Sequence, residues 1–177
     1  MTQKLHQPKH IYLDDTMYFV TASVYQKKPY LSKDKYKSFL LNKMIEFFAK
    51  FAYKWFAYVI LNNHYHTLFK TRSGKDLGKV FGRVHGSTSY HLNKSNETPG
   101  RRVWQSYWDR CIRNKKDFYR HFNYIHQNPV KHKYVDRFED YRFSSYNHWT
   151  AKKGTDWIRD VFEQYPIVDF TVQHDEL

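Results

Sequence analysis

The spacing of apolar and polar side chains changes along the chain, and each change marks an element. Residues 17–25 (MYFVTASVY) are dense in β-branched and aromatic side chains and predict a strand. Over residues 33–51 the apolar positions Phe39, Leu40, Met44, Phe47 and Phe48 recur at helical spacing, with Ser32 as a candidate cap. Residues 55–61 and 64–71 return to strand composition. The Asn62-Asn63 pair between them suits a tight hairpin, because asparagine tolerates positive φ. Residues 76–93 predict a second helix, with Leu77, Val80, Phe81 and Val84 on one side. Gly78, Gly82 and Gly86 recur every fourth residue along it. This spacing suggests close packing of the helix on a sheet, or alternatively close approach to DNA. Residues 103–113 predict a fourth strand and residues 115–128 a third helix, ended by Pro129.

Strand, helix, strand, strand, helix, strand is the βαββαβ order of a ferredoxin-like α+β fold. Such a fold has a four-stranded antiparallel sheet with two helices on one face. The third helix is the candidate cover for the opposite face. The expected organisation is a basic arm over residues 1–15, one domain over 16–132 and an extension over 133–177 that packs back on it. In that extension Trp157, Ile158, Val161 and Phe162 predict one short helix.

Composition narrows the function. The chain of 177 residues carries a net charge of +13, and 20% of its residues are aromatic. Lysine and arginine track phosphates while aromatic faces stack on bases, so the pairing favours single-stranded nucleic acid as partner. The charge is uneven: +16 over residues 1–150 and −3 over residues 151–177. The acidic tail is therefore not the expected phosphate-binding surface. Cys111 is the single cysteine, which excludes an intrachain disulfide and fits a reducing cytoplasm. No apolar stretch reads as a signal peptide or a membrane span, so the terminal His174-Asp175-Glu176-Leu177 is expected to be a coincidental match to a retention signal.

The candidate chemistry starts at His64-Tyr65-His66. Alternation along a strand points both imidazoles to one face and Tyr65 to the other, and two imidazoles on one rigid face are a ready pair of metal ligands. With eleven histidines in the chain, an H-x-H pair also arises by chance. On the third helix, Asp117, His121, Tyr124 and Asn128 share one stripe. That stripe is either a solvated face or the second half of a site facing the histidines. In the second case His64, His66 and the Asn128 carboxamide ligate a divalent metal. Tyr124 then attacks a phosphodiester, its oxyanion stabilised by the nearby positive charge. His121, one turn before Tyr124, is placed to orient or deprotonate it. Arg110, Arg113, Lys115 and Lys116 flank the site and are the candidate phosphate contacts. His85, His91, His132 and His148 read as ordinary, partly exposed residues, and His126 points off the Tyr124 stripe.

His64-Tyr65-His66 resembles the His-hydrophobe-His motif of the HUH endonucleases. Tyr124-Ile-His-Gln-Asn-Pro-Val130 resembles the single-tyrosine transposase branch, and so do the preceding Trp104-Gln105, Asp109-Arg110 and Ile112-Arg113-Asn114. The similarity is greatest to the REP-associated tyrosine transposases. The resemblance implies a ferredoxin-like fold, Mg²⁺ or Mn²⁺, and no small-molecule cofactor. It also implies nicking and joining of single-stranded DNA beside a REP-like hairpin through a 5′-phosphotyrosine, by a monomer in the bacterial cytoplasm at the nucleoid. Insertion-sequence relatives carry glutamine four residues after the tyrosine, where this chain has Asn128. The rival reading is a non-catalytic single-stranded nucleic-acid-binding protein with the same fold.

Overall fold

A computed structural model describes residues 12–167. Residues 1–11 of the basic arm, and residues 168–177 with the acidic tail and its His-Asp-Glu-Leu end, lie outside the described residues. The elements run β1 (Met17–Val24), α1 (Asp34–Lys50), β2 (Lys54–Ile60), β3 (His64–Lys70), α2 (Leu77–Ser95), β4 (Trp104–Cys111), α3 (Lys115–Lys131), α4 (Tyr146–Lys153) and α5 (Thr155–Gln164). The four strands form one antiparallel sheet in the order β2-β3-β1-β4, the ferredoxin-like arrangement.

The central strands are apolar because both their faces are covered. Tyr18, Val20, Ala22, Tyr65 and Phe69 are buried toward α1 and α2. There Phe69 packs on Phe48 at 4.9 Å and on Phe81 at 5.8 Å between ring centroids. The other face is covered by α3, which lies over β2 and β3. α5 packs against α3, and α4 sits beside β2, where Trp149 Nε1 donates to the Phe56 carbonyl at 2.6 Å. The stretch before α4 pins the edge of β2: Ile60 donates its N–H to the Phe143 carbonyl at 2.9 Å, and the Tyr141 hydroxyl donates to the Ile60 carbonyl at 2.7 Å.

Four local expectations are corrected. Ser32 does not cap α1, whose N-cap is Lys33 with no side-chain bond. Pro129 does not end α3, which runs on to Lys131. In the last turn proline forfeits one bond, and the His132 N–H still reaches the Asn128 carbonyl at 2.9 Å. The extension holds two helices, separated at Gly154 with φ of 90°, where one was expected. The glycines of α2 do not pack on the sheet either. All three are exposed, and a Cβ at Gly82 or Gly86 would meet nothing within 4 Å.

Candidate functional site

The sheet register builds the first half of the site. Thr21 of β1 stands opposite His66 of β3, so their side chains share a face, and Thr21 Oγ1 lies 2.7 Å from His66 Nδ1. His64 is held by its neighbour. Asn63 donates Nδ2 to the Lys27 carbonyl at 3.2 Å, which leaves Oδ1 to accept from His64 Nδ1 at 2.6 Å. An acceptor-only oxygen requires the proton on Nδ1, so the lone pair of His64 is on Nε2. The two imidazole centroids are 5.0 Å apart with planes at 76°. Tyr65 points into the opposite layer, where its hydroxyl meets His85 at 2.9 Å.

α3 supplies the second half. Asn114 caps it by accepting from the Asp117 N–H at 2.9 Å, and the helix then carries Asp117, His121, Tyr124 and Asn128 along one stripe. Tyr124 lies against His66 at 5.3 Å and against Phe19 at 6.0 Å, centroid to centroid. Asn128 donates Nδ2 to the Tyr124 carbonyl at 3.0 Å, which turns its oxygen toward the histidines. His64 Nε2 and Asn128 Oδ1 are both buried without a hydrogen bond of ordinary geometry. The two side chains are nevertheless close enough for the amide to favour a protonated imidazole. His121 packs on Phe19 with ring centroids 4.7 Å apart and planes tilted by 50°, its Nδ1 2.8 Å from the Asp117 carbonyl oxygen and 3.2 Å from Asp117 Oδ1. The solvated-face reading of this stripe is thereby replaced by a buried, convergent one.

Burial keeps the histidine pair neutral. It pushes His64 down to about 3 and His66 well below its ordinary value, and the nearby His132, Lys27 and Lys131 act in the same direction. Neutral imidazoles are what a divalent cation binds. Among the described residues no group of three or more His, Cys, Asp or Glu is placed to hold a metal. The Asn128 amide oxygen is the candidate third protein ligand for a cation at His64 and His66. The buried, unpaired Oδ1 and Nε2 fit that role.

The predicted phosphate contacts divide. Arg110 of β4 stands beside Asp117, with a nitrogen 3.7 Å from its carboxylate, and thus adjoins the site. Arg113, Lys115 and Lys116 are exposed around the first turn of α3, roughly 13 Å from Tyr124 along the helix axis. Arg113 and Lys115 line a separate cavity of about 600 Å³ with Phe56, Phe118 and Tyr119.

Sequence reasoning missed several parts of the site. Thr21 and Asn63 gave no signal of their own, since a threonine in a strand and an asparagine in a turn are ordinary. Lys131 and His132 were hidden by the assumption that α3 stops at Pro129. His132 is half-buried with its ring 5.5 Å from that of His64. Lys131 stands over the Tyr124 ring at 5.4 Å, and both residues line a cavity of about 510 Å³ with Gln127, Phe162, Pro166 and Ile167.

Two histidines outside the site set an acid limit on the fold. His126 is fully buried, with Nε2 2.7 Å from Ser145 Oγ, and His85 stacks on Trp104 at 4.3 Å. Burial pushes both down to about 3. In the unfolded chain an imidazole takes its proton near pH 6.5. Between those values the unfolded state binds more protons than the folded one, so stability is complete above that range and falls as pH drops. We expect the unfolding free energy to be lower at pH 5 than at pH 7.5 by about 2 kcal/mol per buried histidine. Urea midpoints at the two pH values measure this, and equal midpoints would contradict it.

Residues 13–128 match the family described as "Transposase IS200 like". The chain is 26% identical over 157 residues to a REP-associated tyrosine transposase of Escherichia coli (strain K12), covering 86% of this chain and 91% of that one. The fold is shared with a solved structure of a REP-associated tyrosine transposase bound to a REP hairpin. The TM-score is 0.70 and the identity 22%, over 84% of this chain and 87% of that one.

Proposed function

The chain belongs to the IS200-like transposase family, and we propose that it nicks and rejoins single-stranded DNA beside a REP-like hairpin, with Tyr124 as the nucleophile. The single observation that carries this reading is convergence. Tyr124 and Asn128 from α3 and His64 and His66 from β3 meet in one buried site, although nearly sixty residues separate the two pairs. A merely DNA-binding surface has no need of two buried, neutral imidazoles around a tyrosine.

In the proposed reaction the Tyr124 oxygen attacks phosphorus and the P–O3′ bond breaks. The phenol gives up its proton, and the leaving 3′ oxygen takes one up as a hydroxyl. The 5′ end remains on the protein as a phosphotyrosine. Strand transfer is the reverse step with a different 3′ hydroxyl, which restores the phenol. In this reading His121, held by Asp117, takes up and returns the phenolic proton. Burial lowers its affinity for a proton while the Asp117 carbonyl and carboxylate raise it. Bound Mg²⁺ or Mn²⁺, held by His64, His66 and Asn128, supplies Lewis-acid polarisation of the phosphate and charge for the phenolate. Arg110 beside Asp117, and Arg113, Lys115 and Lys116 at the start of α3, carry the flanking backbone.

The test is incubation of the protein with a REP-type hairpin oligonucleotide bearing single-stranded flanks, in Mn²⁺ or Mg²⁺ and in chelator. A denaturation-resistant protein–DNA band is expected with metal and not with chelator. Tight binding without such a band in any metal would favour the non-catalytic binder.

A further inference from the structure

We propose that Lys27 and Lys131 form a two-sided cradle that holds the scissile phosphate against Tyr124. The proposal rests on the nicking reading above and adds to it the residues that bind the reacting group. The two lysines come from separate elements, Lys27 from the turn after β1 and Lys131 from the last turn of α3. Lys131 is available because α3 continues through Pro129, which puts it two turns beyond Tyr124 on the same stripe. Its side chain is exposed, its ammonium lies 5.4 Å from the Tyr124 ring centroid, and both residues line the same cavity.

Lys27 arrives from the turn after β1, and the backbone there is strained. Gln26 and Lys27 both have φ of 55°, a left-handed conformation that is unfavourable for a non-glycine residue. Asn63 holds this turn through the Lys27 carbonyl, and the same amide fixes the tautomer of His64. One side chain thus ties the position of Lys27 to that of the candidate metal ligand.

Charge then selects the occupant. Lys27 and Lys131 both lie close enough to His64 and His66 for their charge to act on the two imidazoles. The candidate ligands themselves are two neutral imidazoles and an amide. A divalent cation bound there would add further positive charge. A phosphodiester fits this surplus, and the extra negative charge that develops on its oxygens during attack fits it better still.

Lys27→Gln, Lys131→Gln, the double variant and Lys131→Arg test the proposal through the rate of covalent adduct formation on the hairpin oligonucleotide. Each glutamine substitution is expected to slow the adduct about tenfold and the pair about a hundredfold, with arginine restoring most of the rate. Binding of the same oligonucleotide should change only a few-fold, because contacts elsewhere on the strand persist. A second readout does not depend on cleavage. In Tyr124→Phe protein, acetylation of lysines by acetic anhydride is mapped with and without the oligonucleotide, and Lys27 and Lys131 are expected to be protected several-fold. Wild-type adduct rates in the double variant, or equal acetylation with and without DNA, would overturn the cradle. Absence of any adduct with wild-type protein would instead remove the nicking reading, while the protection map still decides whether these lysines hold DNA.

Discussion

Tyr124→Phe is expected to abolish covalent capture of DNA, a loss of about 10⁴-fold or more, while the affinity for a hairpin oligonucleotide stays within a few-fold. The substitution removes one oxygen. The ring keeps its place against Phe19 and His66, so the packing that seats α3 on the sheet is retained. In the proposed reaction that oxygen makes the bond to phosphorus, and no water-based route replaces it as a covalent link. Thermal unfolding should therefore be close to that of the wild type, and gel shift should separate binding from chemistry. Persistence of a denaturation-resistant adduct in Tyr124→Phe would assign the nucleophile elsewhere.

His66→Ala carries the second large effect. His66 is fully buried beside Tyr124. As a proposed direct metal ligand it should cost at least about a hundredfold in adduct rate, more than removal of a group that only orients a ligand. Thr21→Val provides that comparison. It keeps the volume near His66 but deletes the hydroxyl 2.7 Å from Nδ1, so it should slow the reaction by about 10- to 100-fold. Raising the Mn²⁺ concentration should recover part of the Thr21→Val loss and little of the His66→Ala loss. Adduct rates across a metal titration measure both. An unchanged rate in His66→Ala would remove the histidine pair from the chemistry.

Much of the architecture was legible because strand and helix periods differ and the chain keeps each one clean. The β3 alternation placed His64 and His66 on one face and Tyr65 on the other, as the structure has them. The α3 period placed His121, Tyr124 and Asn128 on one stripe. What failed were the points where a local rule yields to tertiary structure. Pro129 reads as a stop, yet in a last turn it forfeits only one hydrogen bond, so the helix carries Lys131 and His132 into the site. Gly78, Gly82 and Gly86 read as a packing face, but α2 buries Leu77, Val80, Phe81 and Val84 instead and leaves its glycines outward. The roles of Thr21 and Asn63 depend on register and on a turn far away in sequence, which periodicity does not carry. The separation of Lys115 and Lys116 from Arg110 depends on where α3 begins relative to β4.

Peptide mapping of the covalent product tests the central claim most directly. After reaction of wild-type protein with the hairpin oligonucleotide in Mn²⁺, nuclease trimming and proteolysis, the nucleotide mass should sit on the peptide containing Tyr124. Fragmentation should place it on that residue as a 5′-phosphotyrosine. A nucleotide on any other side chain, or cleaved DNA with an unmodified Tyr124 at every time point, would contradict the account.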